Sequence, residues 1–345
     1  MRLHHVTACV VALLTAALLA IGGTAPAWAA SQHPAGAASS TLSATREISK
    51  IVLPETSIDG PALSSIFVPN GASHSVIGWT GTDEMHHLNV ETSTDGLNFG
   101  RKLILHETSP YRPDVALAGE GGLVAVAWTG TDPNHSLNVL YDVYGSPKKL
   151  TLFQENSISA PALLVGPGME LAWTGTDANH SLNVLTLSVT ASGLAVGTKT
   201  VLPQFSSNAG PHLARRGANT VVLNWASRGL QPKVAFSQDA VHFSPAQGAG
   251  LPEASAFAPD TQSLEPYIGV SGREWIGWTG TDDIHHLNLQ WTTTFPQFTN
   301  SASTKTVLGE AALGGPALAY NNGEQIAWTG TDGMHHLNIA RFAFS

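Results

Sequence analysis

Residues 79–89 read WTGTDEMHHLN, and the same pattern, WTGTD-x-x-H-x-LN, returns from Trp128, Trp173, Trp278 and Trp328. A sixth, decayed copy begins at Trp225 as WASRG. Successive tryptophans stand 49, 45, 52, 53 and 50 residues apart. A period of this length suits a four-stranded propeller blade and is too long for most helical solenoids. A second marker keeps step with the first: Pro61-Ala-Leu63, Pro113-Asp-Val115, Pro161-Ala-Leu163, Pro211-His-Leu213, Pro266-Tyr-Ile268 and Pro316-Ala-Leu318. Six prolines and six tryptophans in one register predict six units.

Each unit reads as four strands. Strand A starts at the proline, where a missing N–H does least harm. Strand B is a β-branched run ending in a small residue and Trp, as in Val76-Ile-Gly-Trp79. Strand C alternates, as in His86-His-Leu-Asn-Val90, which puts Leu and Val on one face. Strand D carries Lys-x-x-Leu, as in Lys102 to Leu105. The chain ends at Ser345 just after strand C of unit six, while residues 46–54, REISKIVLP, read like a strand D placed before unit one. The expected fold is therefore all-β: a six-bladed propeller of four-stranded antiparallel blades, the last closed by the N-terminal strand, which removes an exposed edge.

Ahead of the repeats stands an export signal. An apolar run from Val6 to Ile21 follows Arg2 and leads to the small-x-small site Ala27-Trp28-Ala29. The run is too short for a stable membrane span. The expected organisation is a signal over 1–29, an Ala/Ser-rich leader over 30–45 and the propeller over 46–345, secreted from the cell. Cys9, the one cysteine, falls inside the signal, so the mature chain has no disulfide and no thiolate. Losing Arg2 leaves 15 Lys+Arg against 25 Asp+Glu, a balance that argues against nucleic acid or anionic membrane as partner.

The TGTD segment between two strands is a turn signal, with Gly for an awkward backbone angle and Asp for nearby N–H groups. The Asp–His pair reads two ways. It can form an internal network that only holds strands together, or it can face outward. The strand count puts the B–C turn and the entry to strand A on one face of the disc. Trp79, Asp83, His86, Trp128, Asp132, His135, Trp173, Asp177, His180, Trp278, Asp282, His285, Trp328, Asp332 and His335 would then ring that face. An aromatic plane beside Asp, Asn and His is a mixture that binds sugars. Eight of the 13 mature histidines lie in the motif. The first of each pair is present in all five copies and the second is Ser136 or Ser181 in two, so the first is the expected functional position. Asp-x-x-His without a third ligand at fixed spacing does not specify a metal, and no cofactor is expected.

Ser93-Thr-Asp95-Gly96-Leu-Asn-Phe99 resembles the Asp-box of sialidase-type propellers, one residue short, and Ser237-Gln-Asp239-Ala-Val-His-Phe243 resembles it without the Gly. In that family the box sits on the C–D turn, opposite the active face. The resemblance implies a sialidase-like glycoside hydrolase as one candidate function, with an arginine clamp for a carboxylate. Arg112 beside Tyr111, Arg228, Glu265 and Tyr267 are the residues that could serve it, with Asp114 and Asp260 as nearby acids. Arg215, Arg216 and Arg273 fall at the opposite end by the same count. The six-bladed fucose-binding lectins are similar in blade number and in Trp-containing sites between blades, but the sequence shows no repeated Arg–Glu pair. The leading expectation is a multivalent, lectin-like glycan-binding propeller without catalysis, because an enzyme needs one asymmetric constellation. A structural or protein-binding scaffold with no small ligand is the third reading.

Overall fold

The computed structural model describes residues 45–344 except 67–72, 119–121, 218, 249–250, 252, 264–273, 294 and 296–304. The expected signal and leader, and Glu265, Pro266, Tyr267 and Arg273, lie outside these residues. Every regular element among the described residues is a strand. The first, β1, spans Thr45–Thr56. Four antiparallel sheets of four strands follow in chain order. The first sheet holds β2 (Ala62–Ile66), β3 (His74–Thr80), β4 (His87–Ser93) and β5 (Gly100–Thr108). The second holds β6 (Asp114–Ala118), β7 (Leu123–Thr129), β8 (Ser136–Tyr141) and β9 (Lys148–Asn156). The third holds β10 (Ala162–Val165), β11 (Met169–Thr174), β12 (Ser181–Thr190) and β13 (Gly193–Ser206). The fourth holds β14 (His212–Arg216), β15 (Thr220–Ala226), β16 (Pro232–Ser237) and β17 (Gln247–Gly248).

The rest of the chain forms one seven-stranded sheet in the order β1-β23-β22-β21-β20-β19-β18. Its strands are β18 (Asp260–Ser263), β19 (Glu274–Thr279), β20 (His286–Thr292), β21 (Lys305–Tyr320), β22 (Glu324–Gly330) and β23 (His336–Phe344). The long β21 pairs with β20 through its first part and with β22 through its second, with a register shift between Leu313 and Ala317. β1 pairs antiparallel with β23, from Thr45 opposite Phe344 to Thr56 opposite His336.

Packing follows from side-chain alternation. One face of each sheet meets the next sheet, as where Ala125, Leu137 and Val139 pack on Leu171, Trp173 and Leu185. Ala327, Leu337 and Ile339 of the seven-stranded sheet share a cluster with Leu63, Ile77 and Trp79 of the first sheet. The small residue before each motif Trp is a packing requirement. A Cβ on Gly78 would stand 2.4 Å from Val115 of the second sheet.

One marker of the sequence reading is corrected. The strand that pairs with β19 begins at Asp260, immediately after Pro259, and Asp260 lies opposite Gly277, the residue before Trp278. Asp114 likewise lies opposite Ala127, before Trp128. The entry proline of this unit is thus Pro259 rather than Pro266. Pro259 follows Ser255 by the same interval that separates Ser57 from Pro61 and Ser109 from Pro113. The Asp-box segments lie between β4 and β5 and between β16 and β17. There Asp95 Oδ1 accepts from the N–H groups of Leu97 and Asn98 at 2.9 and 2.7 Å, and Asp239 Oδ1 from those of Val241 and His242 at 2.9 and 2.8 Å.

Candidate functional site: the turns and notches between sheets

The TGTD segments join the second and third strands of their units, and each Asp closes its own turn. Asp132 Oδ1 accepts from Asn134 N at 3.1 Å and Ser136 Oγ at 3.0 Å, while Oδ2 accepts from Ser136 N at 3.0 Å. Asp177 repeats this with Asn179 and Ser181. Where the second position is His, the imidazole replaces the hydroxyl. His87 Nδ1 lies 2.7 Å from Asp83, and His286 and His336 lie 2.9 Å from Asp282 and Asp332. Burial is the largest single influence and would raise these carboxyls, but the N–H and side-chain donors together outweigh it and hold all five below the usual carboxylate range. Ser and His are therefore interchangeable because each supplies one donor to the same oxygen.

The partner of the Asp is thus the second residue of the pair, not the first. His86, His135, His180, His285 and His335 all have positive φ, between 50° and 61°. His is among the residues enriched in that left-handed region. Its backbone carries the repeated bonds: His86 N donates to Asp83 O, and His86 O accepts from Ser109 N at 3.3 Å. The imidazoles share no common partner. His180 Nδ1 meets Asn208 Oδ1 at 3.1 Å, His285 Nδ1 lies near Gly280 O, and the His135 ring is 6.4 Å from that of Tyr111. The first Thr of each motif holds the following unit, as in Thr80 Oγ1 to Tyr111 O at 2.7 Å and Thr329 Oγ1 to Asp59 O at 2.6 Å.

Trp79, Trp128, Trp173, Trp278 and Trp328 are at most 1% exposed, so none offers a ring face to a sugar. Each packs in an apolar cluster, and a lysine lies over its indole: Lys102, Lys149, Lys199, Lys305 and Lys50, with Nζ 5.2–5.5 Å from the ring centroid. Each ammonium also meets a glutamate from outside its own strand. Lys149 bonds Glu107 at 2.6 Å and Lys199 bonds Glu155 at 2.5 Å, while Lys102, Lys305 and Lys50 pair with Glu55, Glu253 and Glu310. Both partners stay partly exposed, so each pair faces solvent where neighbouring units meet, a place termed a notch. Hydroxyls flank two of the notches, Thr56 against Thr82 at 2.7 Å and Thr108 against Thr131 at 2.8 Å. The decayed unit breaks the series. Gln204 stands two residues after Leu202, where Glu107 follows Leu105. Phe205 stacks on Trp225 with centroids 4.7 Å apart. An aromatic lid replaces a cationic one, and both cover the indole. The sequence carried this signal as Lys-x-x-Leu followed by Glu, of which only the Lys and Leu had been given meaning.

The arginine clamp is not assembled on the predicted face. Arg112 is buried, and its Nη1 donates to the carbonyls of Pro61 and Pro316 at 3.3 and 3.5 Å. Arg228 is exposed on a turn. Asp114 and Asp260 are buried beside His212, and Arg215 and Arg216 bond Glu170 and Glu274 at 2.9 and 2.8 Å.

No family model matches this sequence, and no curated protein does. Solved structures do resemble the chain. A protein of unknown function from Dyadobacter fermentans aligns over 88% of this chain and 100% of its own, with 14% identity and a TM-score of 0.61. The fucose-specific lectin from Aleuria aurantia aligns over 84% of this chain and 96% of its own, at 11% identity and a TM-score of 0.55. The GH93 α-L-arabinofuranosidase of Fusarium graminearum, in complex with arabinobiose, aligns over 87% and 98%, at 10% identity and a TM-score of 0.54. At such identities the likeness carries architecture only. Antiparallel sheets packed in series, together with these neighbours, make the fold a β-propeller.

Proposed function

We propose that residues 46–345 form a six-bladed propeller, exported by a signal over 1–29 and a leader over 30–45, that binds glycans outside the cell without catalysis. Counting the seven-stranded sheet as two blades that share β21 gives six, with β1 as the outer strand of the last. The reading rests on the five Lys–Glu notches, which place an ammonium donor beside a carboxylate acceptor at the blade boundaries. Adjacent donor and acceptor suit the vicinal hydroxyls of a sugar, and the neighbouring threonines add hydroxyls at two of them. With the indoles covered, recognition is polar rather than by stacking. Five near-identical notches fit multivalent binding better than a single reaction centre.

The test is a glycan-array screen of the mature protein, followed by calorimetric stoichiometry with the best ligand. Several sites per chain are expected, with one lost on Lys102→Ala and another on Lys149→Ala. A scaffold without ligand is the second reading, favoured by the internally bonded Asp of each turn. Absence of any array signal, with unchanged oligomerisation in the lysine variants, would leave that reading in place.

A further inference from the structure

The innermost strands β2, β6, β10 and β14 enclose a cavity of about 260 Å³, completed by Thr261 and Leu318. The residue at the start of each inner strand lies opposite the one before the Trp of its unit. These six equivalent residues are Ala62, Asp114, Ala162, His212, Asp260 and Ala317. Three of the six positions therefore bring an ionisable side chain to one level of the axis, an asymmetry unlike the repeated turns.

His212 Nε2 stands 2.9 Å from Asp260 Oδ1, and its Nδ1 is buried with no hydrogen-bond partner among the described residues. Asp114 Oδ2 accepts from Leu163 N at 2.6 Å, and Asp260 Oδ2 from Leu318 N at 2.7 Å. Asp114 and His212 line the cavity, and its remaining wall mixes the leucines Leu63, Leu163 and Leu213 with the polar Ser64, Ser65 and Thr261.

The axis is shut at the end where these strands begin. Gly60 packs so closely on Gly315 that a Cβ would stand 2.1 Å from its carbonyl oxygen, and Gly210 sits likewise on Ala160. Arg112 fills the space beneath, on the carbonyls of Pro61 and Pro316. The cavity runs the other way, along Asp114–Leu117 and His212–Arg215, away from the face that the sialidase resemblance implies.

Charges around it are answered in pairs. Arg215 meets Glu170 at 2.9 Å, His212 meets Asp260, and Asp114 lies within the field of Arg112. Among the described residues that line it, each charged group has an opposite charge nearby, which disfavours a bound ion. A cavity below the roughly 300–1,000 Å³ of drug-sized sites takes a small molecule. Polar groups at its closed end and leucines around it match hydroxyls on one side and C–H groups on the other.

We propose that the axial cavity binds one small neutral polyol, with Asp114 and His212 Nδ1 holding its hydroxyls and the leucines covering its carbon skeleton. The site is independent of the notches. Calorimetry and saturation-transfer NMR on the mature chain would use D-glucose, D-galactose, L-arabinose, L-fucose, myo-inositol and glycerol as probes, with D-glucosamine and D-glucuronate as charged controls. At least one neutral probe should bind at one site per chain and bind more tightly than either control. Val165→Phe, which narrows the cavity without touching the cluster, and the near-isosteric Asp114→Asn should each weaken it about tenfold or more. Lys102→Ala should leave it unchanged. Silence from every neutral probe, tighter binding of a charged control, or binding that survives both cavity variants overturns the proposal. Loss on Lys102→Ala assigns the binding to the notches instead and also overturns it.

Discussion

Replacing Asp132 by Ala tests whether the repeated aspartates hold their turns or wait for a ligand. The carboxylate takes three donors. Asn134 is exposed, and water recovers its N–H at little cost. Ser136 is 1% exposed, so its N–H and hydroxyl are the groups put at risk. Stranding a buried donor costs about 1–3 kcal/mol. Asp132 itself is partly exposed, so water enters part of the vacated space and the lower end of that range, about 1 kcal/mol, applies to each of the two Ser136 donors. The expected loss is about 2 kcal/mol. At about 2–4 °C per kcal/mol for a chain of this size, the melting temperature should fall by roughly 4–8 °C. Ser136→Ala removes a donor and leaves the carboxylate to water, so it should cost about 1 kcal/mol or less. Ser136→His should be tolerated, because His87 occupies the same position beside Asp83. Thermal and urea unfolding of the three variants provide the assay. An Asp132→Ala protein that melts within about 1 °C of the parent would refute the turn-holding role and return the carboxylate to the list of ligand contacts.

Phe205→Ala should cost about 3–5 kcal/mol by urea unfolding, since it opens a void against Trp225 that no lysine fills. Lys102→Ala should cost less than about 1 kcal/mol, because its ion pair is partly exposed, while raising the accessibility of Trp79 to a fluorescence quencher. Burial alone would lower the pKa of His212, but the carboxylates of Asp260 and Asp114 outweigh burial and the opposing Arg112, and the net shift is upward. The stability His212 contributes is thus complete below its unfolded value of about pH 6.5 and is lost as pH rises through the folded value. Melting temperature followed from pH 6 to 9 should fall more steeply in the parent than in His212→Gln, and parallel curves would contradict the assignment. Deleting 45–56 should leave β23 without its partner and promote aggregation, measured by light scattering.

The strand order was legible because the repeat marks the same place in each unit: a small residue and Trp end one strand, and Leu-Asn opens the next. What could not be read was which side of each strand a neighbouring sheet would cover. A Trp that ends a strand suits packing between neighbouring units as well as offering a plane to a sugar, and burial of the indoles, with a lysine from the outer strand over each, favours the first. The histidines misled for a different reason. Retention of the first His in five copies suggested a ligand contact, whereas its left-handed backbone is the shared feature, and a dihedral angle leaves no direct mark on composition. The displaced proline of the fifth unit had a usable cue in the Ser255-to-Pro259 interval, but Pro266 stood close enough to the period to be taken first.

The pairing of β1 with β23 also bears on how the chain is made. Thr45 finds Phe344 as its partner, so a strand synthesised early waits for one that follows about 300 residues later. Closing so long a loop carries an entropic cost that grows only slowly with length, but the search delays folding in proportion to how non-local the contact is. A nascent chain therefore carries an unpaired strand, with Ile48 and Val52 exposed even in the finished protein, until β23 has been made. Premature termination anywhere before β23 would leave that strand without a mate and the chain open to association with its own copies.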